Sequence, residues 1–363
     1  MNDTQSVQGT IRVLVVDDSA FMRTSLSRMI ASESGLNVTG TAGNGFEALE
    51  KISALDPDVV TLDVNMPGLD GVETLRRIMQ RFPRPVIMVT SVTEKNAETT
   101  FSALGAGAFD YVPKQLSASS LEIDHIRSDL IAKIRAAGLV RRAQTRGRCA
   151  KKPSRPARAE EPSGVFQTSS IVALGSSTGG PRALETILPL LPRDLLVPIL
   201  IVQHMPVGFT ASFARRLSQL CEISVQEARD GELVRPAVAY IAPAGRHMRV
   251  QRQGPDAKVA ISLGSDPFAA LHMPSVDVLM ESIAEIYLDR ALGIILTGMG
   301  SDGVEGMSAI YHNGGITIGQ DEATCAVFGM PRACAERGVL NRIVALTEIP
   351  AQILEATRQR KRA

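Results

Sequence analysis

A serine set between glycines is the first residue of this chain that could do chemistry. The segment Gly175-Ser-Ser177-Thr-Gly179 follows an apolar run and precedes a predicted helix. This G-x-S-x-G pattern allows a sharp turn that exposes Ser177 at the edge of a sheet. The turn also presents backbone N–H groups near a helix N-terminus, which can stabilise an oxyanion or bind a phosphate. The pattern alone leaves three interpretations open: a nucleophile, a phosphate cradle or a plain turn.

A serine nucleophile requires a base, because a neutral hydroxyl group attacks poorly. Of the five histidines, His204 is the best placed, since it directly follows an apolar strand and so lies at the same sheet edge as Ser177. A carboxylate should orient the imidazole, and Asp302 follows another strand and a glycine-rich turn. An aspartate before a helix is also a common cap, so that alternative stays open. The Met299 and Gly300 amides of the turn are candidate oxyanion donors.

A second group of reactive side chains lies nearer the N-terminus. Acidic, hydroxyl and basic residues follow four predicted strands of this region: Asp17, Asp18, Asp63, Thr90, Ser91 and Lys114. Clustered carboxylates favour a hard cation such as Mg²⁺, and a carboxylate can accept a phosphoryl group. We therefore predict a phosphorylation site in which Thr90 binds a phosphoryl oxygen and Lys114 pairs with it.

Two runs of alternating strands and helices would position these residues. Residues 11–142 contain five of each, which predicts a doubly wound five-stranded parallel sheet. Residues 169–363 alternate again, which predicts an α/β domain with a mostly parallel sheet and a β-hairpin inserted near residues 246–263. Because ligands bind at the carboxyl ends of parallel strands, each group of residues should converge at one sheet edge. The order serine, histidine, aspartate is not that of the α/β-hydrolase fold.

The segment between the two regions is basic and rich in proline. Residues 143–168 cannot bury a core, so we predict a flexible linker between a domain at 1–142 and a domain at 169–363. A nucleic-acid-binding tail is the alternative. It is disfavoured because no aromatic residues interleave with the charges at 141–158.

The composition excludes several other classes of protein. The chain has 363 residues, a net charge of +1 and 44% hydrophobic residues, so no global field attracts nucleic acid or membrane. The first ten residues are polar, and no apolar stretch is long enough to cross a bilayer. We therefore expect neither a signal peptide nor membrane insertion. The four cysteines lack C-x-x-C spacing, which predicts reduced thiols in a cytoplasmic protein.

The first region resembles response-regulator receiver domains over about residues 11–142. The matching stretches are Val-Val-Asp17-Asp18-Ser-Ala-Phe-Met-Arg, Leu-Asp63-Val-Asn-Met-Pro-Gly-Leu-Asp-Gly71, Thr90-Ser91 and Val-Pro-Lys114. The resemblance implies that Asp63 is the phosphoacceptor. It also implies that Asp18, Asp63 and the backbone carbonyl of Asn65 hold Mg²⁺, with Asp17 binding it through water. Gln115 departs from the pattern, since many receivers have a proline after the lysine.

The second region resembles the catalytic domain of CheB, the chemotaxis protein-glutamate methylesterases, over about residues 170–347. The matching stretches include Gly-Ser-Ser177-Thr-Gly-Gly-Pro, Gln-His204-Met-Pro-Val-Gly-Phe, Pro-Ser-Val-Asp277 and Leu-Thr-Gly-Met-Gly-Ser-Asp302-Gly. The resemblance implies that Ser177 is the nucleophile, His204 the base and Asp302 its orienting acid, with the Met299 amide as an oxyanion donor. We expect no cofactor at this hydrolase site. Met273 stands where the family usually has arginine.

Together the two resemblances imply a phosphorylation-activated serine hydrolase. It would demethylate glutamyl methyl esters and deamidate glutamines on methyl-accepting chemotaxis receptors, releasing methanol or ammonia. The phosphoryl donor would be the chemotaxis histidine kinase CheA. We expect a cytoplasmic monomer that neither binds nucleic acid nor inserts into the membrane. We also hypothesise that the unphosphorylated receiver covers the carboxyl edge of the second sheet.

Two other functions compete with this one. Receivers often carry DNA-binding outputs, but the second region has no helix-turn-helix pattern and is not strongly basic. A catalytically inactive interaction module would keep the fold, but Ser177, His204 and Asp302 are all present.

Overall fold

The computed structural model of the chain divides into two compact units, residues 1–154 and 155–363. The structure describes residues 9–91, 93–114, 120–147, 168–254, 258–266 and 271–358. Gln115 and most of the predicted linker, residues 148–167, lie outside the described residues. Within the described ranges, no helix is both long enough and apolar enough to cross a membrane.

The first unit alternates five strands with five helices. The strands are β1 (Ile11–Val16), β2 (Leu36–Ala42), β3 (Val59–Asp63), β4 (Val86–Ser91) and β5 (Asp110–Lys114). The helices are α1 (Ala20–Ala31), α2 (Gly45–Leu55), α3 (Gly71–Arg81), α4 (Glu94–Gly105) and α5 (Ser120–Gly147). The last helix continues five residues beyond the predicted domain end at 142.

The five strands form one parallel sheet in the order β2-β1-β3-β4-β5, which confirms the predicted doubly wound fold. Side chains alternate between the two faces of a strand. Val13 and Val15 therefore face a core that includes Leu26 of α1 and Ile134 of α5. As expected for inner strands of a sheet that is covered on both faces, β3 is buried along its whole length and β4 up to its last residue, whereas the edge strand β2 is partly exposed.

The second unit is larger and contains nine strands and six α-helices in its described part. The strands are β6 (Ile171–Ser176), β7 (Ile199–Gln203), β8 (Ser224–Glu227), β9 (Val238–Ile241), β10 (His247–Gln253), β11 (Lys258–Gly264), β12 (Ala291–Ile295), β13 (Ile316–Gln320) and β14 (Arg342–Val344). The α-helices are α6 (Gly180–Ile187), α7 (Thr210–Leu220), α8 (Val276–Tyr287), α9 (Val304–His312), α10 (Met330–Arg337) and α11 (Ile349–Thr357). Short 3₁₀ helices lie at Leu188–Leu190, Leu288–Arg290 and Leu346–Glu348.

Seven of these strands form a parallel sheet in the order β14-β13-β12-β6-β7-β9-β8. The remaining two, β10 and β11, form the predicted antiparallel hairpin. The hairpin is joined to α8 by a hydrogen bond from Val250 N to Ser282 Oγ (3.1 Å).

The chain runs outward from the centre of this sheet in two directions. Strand β7 lies on one side of β6, and β12 lies on the other. Such a reversal opens a crevice at the carboxyl ends of the strands, where open α/β sheets bind ligands. The segments that follow β6, β7 and β12 carry Ser177, His204 and Asp302, so the fold brings all three to the centre of one edge.

Candidate active site and phosphorylation site

Ser177 lies in the turn between β6 and α6. Its N–H donates to Thr297 O (3.1 Å), and its carbonyl accepts from Gly180 N (2.8 Å). Gly179 has a φ of +77°, a conformation that favours glycine and lets the chain enter α6 at once. Ser177 is therefore held, half-buried, at the carboxyl edge of the sheet.

His204 is tied to the serine turn through the residue before it. Ser176 and Gln203 are partners in the β6–β7 register, and His204 N donates to Ser176 O (3.1 Å). The buried Gln203 amide donates to both Ser177 O (2.9 Å) and His204 O (3.0 Å) and accepts from Ser176 Oγ (2.6 Å). Gln203 thus links the two strand ends. The sequence reasoning missed this role, although an amide that ends an apolar strand is a signal for it.

The imidazole of His204 is oriented by Asp302. Its Nε2 lies 2.8 Å from Asp302 Oδ2, and each side chain is only 10% exposed. A carboxylate accepts, so Nε2 carries the hydrogen and Nδ1 keeps its lone pair. The buried Nδ1 has no hydrogen-bond partner among the described residues. Nδ1 is therefore the ring nitrogen that is free to accept a proton, and in the described residues it makes no hydrogen bond to Ser177.

Asp302 is itself held by the N-terminus of α8. It accepts hydrogen bonds from Ser275 Oγ (2.8 Å), Val276 N (2.8 Å) and Asp277 N (3.1 Å). Burial favours the neutral carboxyl group, but the hydrogen bond and charge of His204 and the two amides hold the pKa of Asp302 well below its usual range. Asp302 therefore stays ionised while it orients the base.

The alternative that Asp302 merely caps the helix that follows it is not what the structure shows. The N-cap of α9 is Gly303, and Asp302 instead accepts the first amides of α8. Ser275 caps α8 through Val278 N (3.4 Å) as well as binding Asp302. Sequence reasoning did not find Ser275 as a supporting residue, because the contact spans 27 positions of the chain.

The glycine-rich turn at 298–300 lies directly against the serine turn. A Cβ atom placed on Gly298 would come within 2.9 Å of Ser177 Cβ and 3.1 Å of Ser177 N. The turn is anchored on its other side, since Gly298 N donates to Val327 O (3.1 Å). In the described part of the chain no residue accepts a hydrogen bond from Met299 N–H. This amide is available to an oxyanion formed at Ser177.

His272 is a further residue at this site that the sequence reasoning did not select. Its ring stacks on that of His204 with centroids 4.2 Å apart and an interplanar angle of 24°. The neighbouring Met273 carbonyl accepts from Gly245 N (3.1 Å), so a backbone hydrogen bond anchors this segment. The stack limits rotation of the base.

The predicted acidic site is assembled in the first unit. Lys114 Nζ lies 2.7 Å from Asp17 Oδ2 and 2.7 Å from Asp63 Oδ2. Oxygen atoms of Asp17, Asp18 and Asp63 lie within 4.8 Å of one another. Burial raises the pKa of Asp63, while the hydrogen bond and charge of Lys114 act in the opposite direction. Three carboxyl groups against one lysine leave excess negative charge, and their oxygen donors fit a hard divalent cation.

Thr90 and Asn65 flank this cluster. Thr90 is fully buried near the end of β4 and its hydroxyl donates to Ser91 O (3.4 Å). In the β4–β5 register Ser91 pairs with Lys114. Asn65 N donates to Asp63 Oδ1 (3.2 Å), and the Asn65 amide donates to Asn96 Oδ1 (3.2 Å). The predicted roles of Thr90 in phosphoryl binding and of the Asn65 carbonyl in metal binding stay predictions.

Comparison with known proteins assigns a family to this arrangement. Residues 172–353 match the CheB methylesterase family, and residues 13–124 match the response regulator receiver domain. The chain belongs to the CheB methylesterase family. It is 44% identical to the protein-glutamate methylesterase/protein-glutamine glutaminase 1 of Oleidesulfovibrio alaskensis, over 95% of this chain and 99% of the relative. It is 47% identical to the corresponding protein of Geobacillus kaustophilus, over 95% and 98%.

A solved CheB structure agrees with the second domain. The catalytic domain of Thermotoga maritima CheB methylesterase is 41% identical and matches with a TM-score of 0.50, covering 52% of this chain and 99% of that one. The chain is therefore an enzyme of the CheB family with a receiver and a methylesterase domain, and the predicted fold classes are confirmed. A DNA-binding output domain is excluded for residues 172–353.

Proposed function

We propose that Ser177, His204 and Asp302 hydrolyse glutamyl methyl esters and glutamine side-chain amides of a protein, under the control of phosphorylation at Asp63. The observation that carries the proposal is the 2.8 Å contact between His204 Nε2 and an Asp302 that three further donors hold in place. An aspartate with a purely structural role would not need a hydrogen bond to the ring of a histidine that lies at the same sheet edge as a half-buried serine.

The proposed reaction is acyl transfer in two steps. His204 Nδ1 takes the Ser177 proton while Oγ attacks the side-chain carbonyl carbon, and Met299 N–H stabilises the oxyanion. The imidazolium then protonates the leaving group, which departs as methanol or ammonia and leaves a glutamyl ester on Ser177. Water attacks this ester as His204 takes its proton, and return of that proton to Ser177 Oγ releases glutamate.

The receiver chemistry rests on the buried acidic site. The Asp63 carboxylate attacks the phosphorus of a phosphoryl donor. The new O–P bond forms as the bond between phosphorus and the donor breaks, the rest of the donor leaves, and Lys114 pairs with the transferred group. Asp17, Asp18 and Asp63, with the carbonyl of Asn65, would hold Mg²⁺. When bound, the cation neutralises charge on the phosphoryl group.

The substrate and partners follow from the relatives. Their names describe action on protein glutamate and glutamine, and they align with this chain over nearly its full length. We propose methyl-accepting chemotaxis receptors as the substrate, the histidine kinase CheA as the phosphoryl donor and the cytoplasm as the location.

The direct test is methanol release from a methylated receptor. Ser177→Ala should lower the rate by at least about 10³-fold, because alanine lacks the hydroxyl group that attacks the carbonyl carbon. Ser218→Ala, a substitution at an exposed serine of α7, is the matched control and should leave the rate unchanged. Undiminished release by Ser177→Ala would refute the assignment.

A further inference from the structure

A second carboxyl group lies beside the carboxylate that orients His204. Asp277, in the first turn of α8, donates its backbone N–H to Asp302 Oδ1 (3.1 Å). Its side-chain Oδ1 accepts from Gly306 N (2.8 Å) on α9, and its carboxyl group is within hydrogen-bonding reach of the Asp302 carboxyl group. Asp277 therefore joins α8, α9 and the Asp302 turn at one point.

Two carboxylates this close together and this buried do not both ionise readily, so one proton is retained by the pair. Asp302 is the member held in the charged form, because His204 and two backbone amides bind it. The proton therefore resides on Asp277. Burial, followed by the charge and hydrogen bond of Asp302, raises the pKa of Asp277 to about 7, and the Gly306 amide opposes the shift only in part.

The other charged groups nearby reinforce this assignment. Glu281, one turn along α8, adds negative charge near Asp277. It interacts in turn with Arg249 of β10 and Glu305 of α9. From α10, Cys334 faces Asp277, and burial raises the pKa of its thiol to about 12, so it brings no charge near neutral pH. The remaining titratable group at the cluster is His204, which contacts Asp302 rather than Asp277.

We propose that Asp277 is a positioning residue which, as a carboxylic acid, donates a hydrogen bond to Asp302 and keeps that carboxylate aligned with His204. This inference rests on the proposed hydrolase function. Ionisation of Asp277 removes the donor and places a like charge beside Asp302, which weakens the alignment. Hydrolysis should therefore decline as the pH rises past the point at which Asp277 loses its proton.

The pH profile of kcat for methyl-ester hydrolysis tests the proposal in the full chain. Asp277→Asn keeps an N–H donor for Asp302 and an oxygen for Gly306 but cannot ionise. It should match wild type at pH 6 within about threefold and lose the decline between about pH 7 and 9. Asp277→Ala, which lacks the donor, should lower kcat about tenfold at every pH with little change in KM.

Glu285→Gln is the matched control, since it removes an exposed acid of the same helix about two turns away from Asp277. Its pH profile should follow that of wild type. The proposal is overturned if Asp277→Asn keeps the wild-type decline, or if Asp277→Ala is as active as Asp277→Asn at pH 6.

A second readout does not depend on catalysis. In a Ser177→Ala chain labelled at histidine, the His204 ring resonances should show a pH-dependent change that reports the ionisation of Asp277. Adding Asp277→Asn should remove that change, and identical curves for the two chains would contradict the coupling. Because this signal needs no nucleophile, a failure of the serine assignment would leave it interpretable.

Discussion

The surroundings of Asp302 and Asp63 shift the pKa values of these two carboxyl groups in opposite directions. Asp302 accepts four hydrogen bonds, counting His204, and its pKa is held below the usual range. The Asp63 side chain pairs with Lys114 and accepts the amide of Asn65, and burial raises its pKa. The role proposed for Asp302, to orient a base, requires a carboxylate that stays charged and fixed. The role proposed for Asp63 requires a carboxylate that can attack phosphorus, and the excess negative charge around it favours binding of a cation.

This contrast predicts how stability responds to Asp63→Asn. Because the folded-state pKa of Asp63 lies above its unfolded value, its contribution is fully present below the unfolded pKa of about 3.9 and is lost as the pH rises through the folded pKa. The ionised Asp63 therefore destabilises the receiver at pH 7. Asp63→Asn should raise its free energy of unfolding by about 1 kcal/mol at pH 7, and by nothing at pH 3.

The measurement is hydrogen exchange of the β1 and β3 amides in the full chain, compared between the two proteins in EDTA at each pH. Glu50→Gln, at an exposed position on α2, is the control and should have no effect. Added Mg²⁺ should stabilise wild type more than Asp63→Asn, because the variant lacks one carboxylate ligand. Equal protection of all three proteins at pH 7 would speak against strain at the acidic site.

At the scale of elements, the active site depends on two turns that touch. The turn after β12 approaches the turn after β6 so closely that a Cβ atom on Gly298 would clash with Met330 Sδ and lie 2.9 Å from Ser177 Cβ. The methionine end can move aside, but Ser177 is held by its own backbone hydrogen bonds. Gly298→Ala should push the oxyanion turn away from the nucleophile and lower kcat by about 10–100-fold, since small misplacements are costly in catalysis.

The comparison for this variant is Gly264→Ala at the end of β11, where an added Cβ atom meets nothing within 4 Å. Both variants should keep the circular dichroism of wild type, and only Gly298→Ala should lose activity on a methyl ester. Full activity of Gly298→Ala would mean that the contact between the turns does not position the oxyanion donors.

Most of the elements could be predicted because a buried parallel strand leaves a continuous apolar run. Strands β6, β7 and β12 are of this kind, and their ends located Ser177, His204 and Asp302. The edge strands β8 and β14 were not predicted, since they are short and partly exposed and so lack such a run. Helix α10 was also missed, although Pro331 at its start and Gly338 at its end are recognisable signals.

The contacts between distant segments of the chain could not be predicted from the sequence. Gln203, Ser275 and His272 support the site through partners that are brought near only by the fold. The cap preference of aspartate correctly suggested a helix N-terminus near Asp302, but it could not indicate that the helix would be α8. The cap preference of a residue predicts that it will bind the N-terminus of some helix, and the packing of the elements determines which helix that is.

At the scale of the whole molecule, the two sites lie in separate units of the chain. Control of one site by the other therefore requires a coupling free energy between the two units, and phosphorylation must change it. A tenfold activation corresponds to only about 1.4 kcal/mol, which a few charge-assisted hydrogen bonds to a phosphoryl group can provide. The charge added at Asp63, beside Lys114, is the local event from which this coupling would start.

We therefore expect a small-molecule phosphoryl donor with Mg²⁺ to raise the esterase rate of the full chain about tenfold or more, and to have no effect on Asp63→Asn. If the unphosphorylated receiver covers the site, a chain that begins near Ser163 should be as active as the phosphorylated protein. Its rate should not change when the phosphoryl donor is added. The related Thermotoga maritima catalytic domain has been crystallised as a separate domain, which supports using this truncation. Rates of methanol release that are the same for the unphosphorylated chain, the phosphorylated chain and the truncated chain would exclude inhibition by the receiver.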